Sequence, residues 1–304
     1  MSAVSITKED LREIMSSTET VAVAGASDAQ PQRAEAVASA LPLGKRLRDG
    51  LGASLKWLLP PLLGLALFVG VWALVAQTSP NLPGPLKTWD SAVQLFSDPF
   101  YQKGPNDQGI GWNVLSSLKR VGIGFGMAAV VGIPLGFMIG RFRFLNSMLS
   151  PIISLLRPVS PLAWLPIGLL VFKAANPAAI WVIFISSIWP MIINTAVGVS
   201  RIPQDYMNVA KVLNLSEWKV FTKILFPAVL PYMMTGVRLS IGVAWLVIVA
   251  AEMLTGGVGL GFWVWDEWNN LNVEHIIIAI FVVGIVGLLL EQLLVLLAKR
   301  FDYE

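Results

Sequence analysis

The chain has 304 residues, 55% of them hydrophobic and 13% charged, whereas roughly a quarter are charged in an ordinary soluble domain. Charge this sparse cannot cover a soluble core of that size, and with a mean hydropathy of +0.68 it predicts an all-α polytopic membrane protein. A net charge of +3 dispersed between apolar runs excludes a nucleic-acid partner, the lack of cysteine excludes disulfides and thiolate chemistry, and the lone His275 is too little for a histidine-built metal site.

Residues 1–45 are rich in Ala, Ser and Glu and read as a largely flexible cytoplasmic tail, with Thr7-Lys8-Glu9-Asp10 placed to cap a short helix through about Ser16. No cleavable signal peptide is expected, because the first apolar run begins only near Trp57. Val21-Ala22-Val23-Ala24-Gly25 lacks the further glycines of a phosphate loop.

The transmembrane part, 46–304, contains six apolar runs long enough to span, at about 57–77, 116–140, 147–172, 177–199, 232–253 and 276–297. Ser79-Pro80-Asn81-Leu82-Pro83-Gly84-Pro85 stops the first helix. Gly122, Gly124, Gly126, Gly132, Gly136 and Gly140 in the second run suit close helix approach. The third run is interrupted by Pro158, Pro161 and Pro166. Lys45, Arg46, Arg48 and Lys56, then Arg141 and Arg143, then Arg201, Lys211, Lys219 and Lys223, then Lys299 and Arg300 flank alternate ends, which places both termini in the cytoplasm. Trp263, Trp265 and Trp268 suit an aromatic belt at the outer boundary.

Between the fourth and fifth runs, 203–226 has helical periodicity but is too short and polar to span. Tyr206, Val209, Ala210 and Leu213 recur at i, i+3, i+4 and i+7, with Asp205, Asn208 and Lys211 opposite. Asn214 is placed to close this helix in a left-handed conformation, Ser216 to cap a second one carrying Trp218, Phe221 and Leu225, and Pro227 to end it. Spacing alone leaves interfacial packing and a docking knob both open.

Asn208-Val209-Ala210-x-x-x-Asn214, followed after nine residues by Ile224-x-Phe226-Pro227, resembles the E-A-A-x-x-x-G loop and its downstream I-x-L-P in permease subunits of binding-protein-dependent ABC importers. The spacing agrees throughout, while Asn208, Val209, Asn214 and Phe226 depart from the family residues. Leu156-Arg157-Pro158-Val159-Ser160-Pro161-Leu162-Ala163-Trp164-Leu165-Pro166, Gly236-Val237-Arg238, Ala244-Trp245, Val249-Ala250-Ala251-Glu252-Met253 and Gly259-Leu260-Gly261-Phe262-Trp263-Val264-Trp265-Asp266 resemble the nitrate, sulfonate, taurine and bicarbonate branch. The 265–270 stretch is most similar to the cyanobacterial nitrate and bicarbonate permeases, and the resemblance covers about 60–300.

The resemblance implies a type I, MetI-like importer fold in the cell inner membrane. It implies two copies of this permease, two ABC ATPase subunits that bind ATP and Mg, and a periplasmic or lipid-anchored binding protein, with lipid around the spans. Tyr206, Asn208, Val209, Ala210, Leu213, Asn214 and Trp218 are then the ATPase-coupling candidates. The chain itself has no G-x-x-x-x-G-K-S/T; at Gly44-Lys45-Arg46, Ser39 and Arg46 stand where that motif needs glycine and a hydroxyl residue. No cofactor or metal is expected in this chain, and no catalytic residue.

Polar groups inside the spans are the pathway candidates, because charge in hydrocarbon is costly and faces protein or water. Arg157 either lowers the barrier for a small anion or snorkels to headgroups from a segment along the inner interface. Arg238 and Glu252 are candidate partners at a gate or in packing, and Asn194 and Thr195 face the pathway or a neighbouring helix. His275 beside Glu274 reads as an interface residue. Nitrate leads the substrates, with bicarbonate, sulfonate and taurine behind it. The other classes are an ion-coupled secondary transporter, which needs midplane carboxylates, and a membrane scaffold, which has no need of Pro- and Gly-broken spans.

Overall fold

A computed structural model describes residues 43–299; the tail before Leu43, with its expected short helix, lies outside them. The helices are α1 (Leu43–Thr78), α2 (Pro85–Leu95), α3 (Ile110–Arg141), α4 (Arg143–Leu156), α5 (Leu165–Phe172), α6 (Ala175–Ser200), α7 (Gln204–Val212), α8 (Glu217–Val220), α9 (Phe226–Thr255), α10 (Leu260–Asn269) and α11 (Val273–Lys299). A 3-10 turn, Pro161–Trp164, precedes α5, and a π-turn, Phe221–Leu225, joins α8 to α9. Among the described residues the β structure is one isolated antiparallel bridge, Gln102 to Gln108. Two compact units divide at Val71 and Trp72; the first contains most of α1, in which Pro60 and Pro61 lie within the helix.

Among the described residues, five helices are long and apolar enough to cross a membrane: Leu58–Thr78, Ile110–Arg141, Ala175–Ser200, Glu217–Thr255 and Val273–Ala298. A sixth crossing is made only if Arg143–Leu156 and Pro161–Phe172 are taken together, and these meet at 97°. The third run, 147–172, is therefore two helices around a corner at Arg157–Ser160. Pro158 removes a backbone donor and Pro161 disfavours helical backbone at Ser160, so the corner falls where the imino acids lie.

The core of the second unit is α3, α6 and α9. The contact between α3 and α6 follows small residues four apart, Gly124, Ala128, Gly132, Gly136 and Gly140. A methyl group on Gly136 would stand 2.6 Å from the Thr195 Cβ, and one on Gly140 would stand 2.6 Å from the Ala196 carbonyl oxygen. Gly122 and Gly126 have open space instead, so the close approach uses one glycine stripe and not every glycine of the helix. On the other side of α6, Gly236 of α9 meets the Pro190 carbonyl at 2.8 Å by the same measure, and the buried Ser240 hydroxyl donates to the Ser187 carbonyl at 2.6 Å.

Pro227 does not end a helix. The wide turn at Phe221–Leu225 lets the Phe226 N–H reach back to the Phe221 carbonyl, and Pro227 then occupies the first turn of α9, where its missing N–H costs nothing. The fifth span is thus continuous with the segment that precedes it.

Candidate functional site

At the end of the bundle bearing Arg141 and Arg201, α7 is a separate short helix, whereas α8 is the leading turn of the helix that continues through the π-turn into α9, so the expected second short helix is part of the fifth span. The α7 helix closes through Asn214 at φ 48°, with Leu215 N–H donating to the Ala210 carbonyl and Asn214 N–H to the Lys211 carbonyl, both at 3.0 Å. This paired closure is a Schellman motif with asparagine in the left-handed seat. Ser216 stands at the start of α8 through its backbone, and its hydroxyl makes no capping bond.

Ala210 is the buried residue of α7, packed into a cluster with Phe137, Val199, Val220, Leu225, Val229 and Met233. Tyr206, Val209 and Leu213 do not share its face. They are 59%, 54% and 63% exposed, as is Val212 at 84%. The expected apolar face therefore splits: one residue anchors the helix, and the rest form an apolar outer surface with the exposed Asn208 and Asn214 beside it. Trp218, 72% exposed, stacks on Phe221 at 5.9 Å.

Arg157 sits at the corner between α4 and the 3-10 turn and borders two grooves. One, of about 570 Å³, has Asn146, Ser150 and Ser154 of α4 and Ile193 of α6 in its wall. The other, of about 360 Å³, has Ser160, Ser186 and Trp189. Its guanidinium has no hydrogen bond or ion pair among the described residues. The α6 residues that share its grooves run from Ile185 to Val197, so it lies at the level of Pro190, about 15 Å along the helix from Ser200.

Arg238 and Glu252 do not pair. They are fourteen residues apart on α9, and each has another partner. Arg238 Nη2 is 2.5 Å from Glu291 Oε1, with both side chains about half exposed. Glu252, 1% exposed, is met by Arg120 Nη1 at 2.6 Å and by the Ser117 hydroxyl at 2.8 Å. Arg120 also donates from Nε to Asn176 Oδ1 at 2.6 Å and from Nη1 to the Val258 carbonyl at 2.7 Å. Asn194 donates to the Pro190 carbonyl of its own helix at 2.8 Å, and Thr195 is fully buried against Gly136.

The Glu252 cluster also receives the start of α10. Gly259 N–H donates to Asn113 Oδ1 at 2.9 Å, Leu260 N–H to Ser117 Oγ at 3.0 Å and Gly261 N–H to Glu252 Oε2 at 3.0 Å. Three N–H groups that a helix start leaves unpaired are satisfied by side chains of α3 and α9. A methyl group on Gly261 would meet the Val249 carbonyl oxygen at 1.9 Å, so only glycine fits there. Beyond this clip, Trp263 is buried and stacks on His275 at 5.8 Å, while Trp265 and Trp268 are exposed. His275 Nδ1 lies 3.1 Å from Glu267 Oε1, which ties His275 to α10.

Sequence reasoning missed Arg120, Ser117, Asn113 and Asn176. The available signal was spacing: 113, 117 and 120 fall at i, i+4 and i+7, a polar stripe at one end of an otherwise apolar helix.

This arrangement of broken and continuous spans, with the short α7 ahead of the fifth, is the type I ABC importer permease fold. Residues 132–303 match the family model described as the binding-protein-dependent transport system inner membrane component. The chain is 48% identical over 238 residues to the nitrate import permease protein NrtB of Synechocystis sp., covering 78% of this chain and 86% of that one. It is 45% identical over 272 residues to the bicarbonate transport system permease protein CmpB of Synechocystis sp., covering 88% and 96%. The inward-facing MetNI methionine ABC transporter matches in fold, with TM-score 0.54 at 14% identity, over 63% of this chain and 95% of that one. The chain belongs to the binding-protein-dependent transport family, and its apolar helices make it a multi-pass inner membrane protein.

Proposed function

We propose that this chain is the transmembrane subunit of an ATP-driven importer that passes a small oxyanion, nitrate first, from an external binding protein to the cytoplasm. The observation that supports an anion is Arg157: a guanidinium at mid-span level, without a hydrogen-bond or ion-pair partner among the described residues, bordering two largely apolar grooves that each carry serine in the wall. A cation at that depth is costly unless it faces water or a charged solute. The NrtB relatives favour nitrate; the CmpB relative, matched over 96% of its length, favours bicarbonate as the second reading. A secondary transporter working alone would need a free carboxylate in the membrane, and Glu252 and Glu291 are each engaged by an arginine.

ATP and Mg belong in this reading to two ATPase subunits, which seat on the exposed apolar surface of Tyr206, Val209 and Leu213, with Asn208, Asn214 and Trp218 beside it. Contiguous exposed apolar surface of this kind is characteristic of a docking site. Ala210 acts from beneath, fixing the helix to the spans. Two copies of the chain enclose the pathway and open alternately to each side, with Arg157 and Asn194 towards it and the Arg238–Glu291 pair nearer its inner end.

The test is uptake of labelled nitrate into liposomes containing the complex, with its binding protein present. Arg157→Gln should lower uptake at least tenfold while ATP hydrolysis still responds to the binding protein, and Arg157→Lys should recover part of it. Unchanged uptake in Arg157→Gln removes this residue from the pathway.

A further inference from the structure

A groove of about 490 Å³ lies where the end of α3 meets the π-turn and the start of α9. That volume is within the range that holds a ligand. Phe137, Phe221 and Phe226 form its floor, with ring centroids 5.2 Å apart for Phe137 and Phe221 and 6.4 Å for Phe137 and Phe226. Met138, Phe142 and Trp218 stand at its sides and are 46%, 54% and 72% exposed. At its rim is Arg141, in the last turn of α3. The Arg141 guanidinium is 4.0 Å from the Glu217 carboxylate, both well exposed. An ion pair that loose and solvated is worth little, so the cation is available to a closer anion.

The chemistry of the groove divides along its length. The interior is aromatic and aliphatic; the mouth carries Arg141, with Glu217 across from it and the exposed Arg143 two residues further along the chain. The basic flanks mark this end as cytoplasmic, the side on which membranes carry their anionic lipid. An apolar slot with a cationic lip at the boundary of the bilayer matches one acyl chain and one acidic headgroup. The exposed Trp218 beside it, stacked on Phe221, is of the amphipathic kind that suits such a boundary. We infer that this groove is a binding site for an anionic phospholipid of the inner leaflet, with its tail against Phe137, Phe221 and Phe226 and its phosphate on Arg141. The lipid would rest on the π-turn that connects α8 to α9, so its occupancy would stiffen that junction.

The experiment uses the whole transporter, with its ATPase subunits, in phosphatidylcholine nanodiscs containing phosphatidylglycerol that carries a photoactivatable group on its acyl chain. Label sites are mapped by mass spectrometry. The expected result is enrichment in the peptides spanning Ile133–Phe142 and Glu217–Phe226, displaced about fivefold better by unlabelled phosphatidylglycerol than by phosphatidylcholine, the ratio that ~1 kcal/mol for one interfacial cation gives. Arg141→Gln should abolish the preference and Arg141→Lys should keep it, while labelling of the outer ends of α9 and α11 stays constant and reports an intact fold. Equal displacement by the two lipids, or label spread evenly over the apolar helix faces, would overturn the assignment. Label that enters the groove only after the ATPase subunits are stripped off would also overturn it, and would give the groove to a protein partner.

Discussion

Arg120 and Glu252 lie 132 positions apart in the chain and 2.6 Å apart in the fold, and the pair is the joint at which α3, α6, α9 and α10 meet. Arg120 reaches α6 through Asn176, and Glu252 holds the start of α10 through Gly261. Arg120→Met would leave the 1% exposed carboxylate uncompensated, a loss of about 3–5 kcal/mol when one partner of a buried pair is removed. Adding Glu252→Gln should recover most of it, because the amide carbonyl still accepts from Gly261 and Ser117. Thermal inactivation midpoints of the four proteins in mild detergent measure this; strictly additive losses would show that the two side chains are not coupled.

Gly136 and Gly126 are both glycines of α3 in helical backbone, and the surroundings separate them. Gly136→Ala places a methyl 2.6 Å from the Thr195 Cβ and 2.8 Å from the Ile192 carbonyl oxygen, and overpacking of this kind costs about 1–3 kcal/mol. Gly126→Ala meets nothing within 4 Å and should gain about 0.5–1 kcal/mol from the better helix former. Opposite shifts of the melting midpoint are expected, and a common sign would count against the glycine-stripe packing.

Leu213→Asp puts a charge on the exposed apolar surface of the α7 end, where the side chain is 63% exposed and not part of the core. The permease should fold normally and lose its ATPase subunits on affinity purification. Ala210→Asp, at a buried site, should instead lower the yield of the permease itself. Retention of the ATPase subunits by Leu213→Asp would rule out this surface as their seat.

Deleting Thr222 removes the extra residue of the π-turn and should convert Phe221–Leu225 to ordinary α-helix. One residue of an α-helix is about 100° of rotation, so α7 and α8 would turn relative to α9. Expected is a complex that still hydrolyses ATP but no longer imports nitrate in proportion. Proportionate import would mean that the orientation of α7 and α8 is immaterial.

The sequence made some of this legible for definite reasons. Apolar runs declare spans because lipid demands them, and Asn214 declares a left-handed close because few residues tolerate one. The corner at Arg157–Ser160 was signalled by prolines, although they do not say whether a break yields a kink or a 97° turn. Pro227 misled: a proline reads as a stop unless the residues before it are known to widen into a π-turn. Helical periodicity grouped Tyr206, Val209, Ala210 and Leu213, but which of them meets the protein depends on where α3 and α9 stand. Glu252 was recognisable as an expensive charge; its partner was not, since any of several arginines in the spans satisfies the same rule until the helices are packed.

The clip on α10 has a consequence for the order of biosynthesis. Asn113, Ser117 and Glu252, which receive the three leading N–H groups of α10, all precede Gly259 in the chain. A nascent chain leaves the ribosome with the receiving groups already made, so the seat for α10 can be assembled before α10 itself emerges. Its helix can therefore start on a surface laid down earlier by the same polypeptide, and a chain truncated after Thr255 would carry that seat without the three N–H groups it receives.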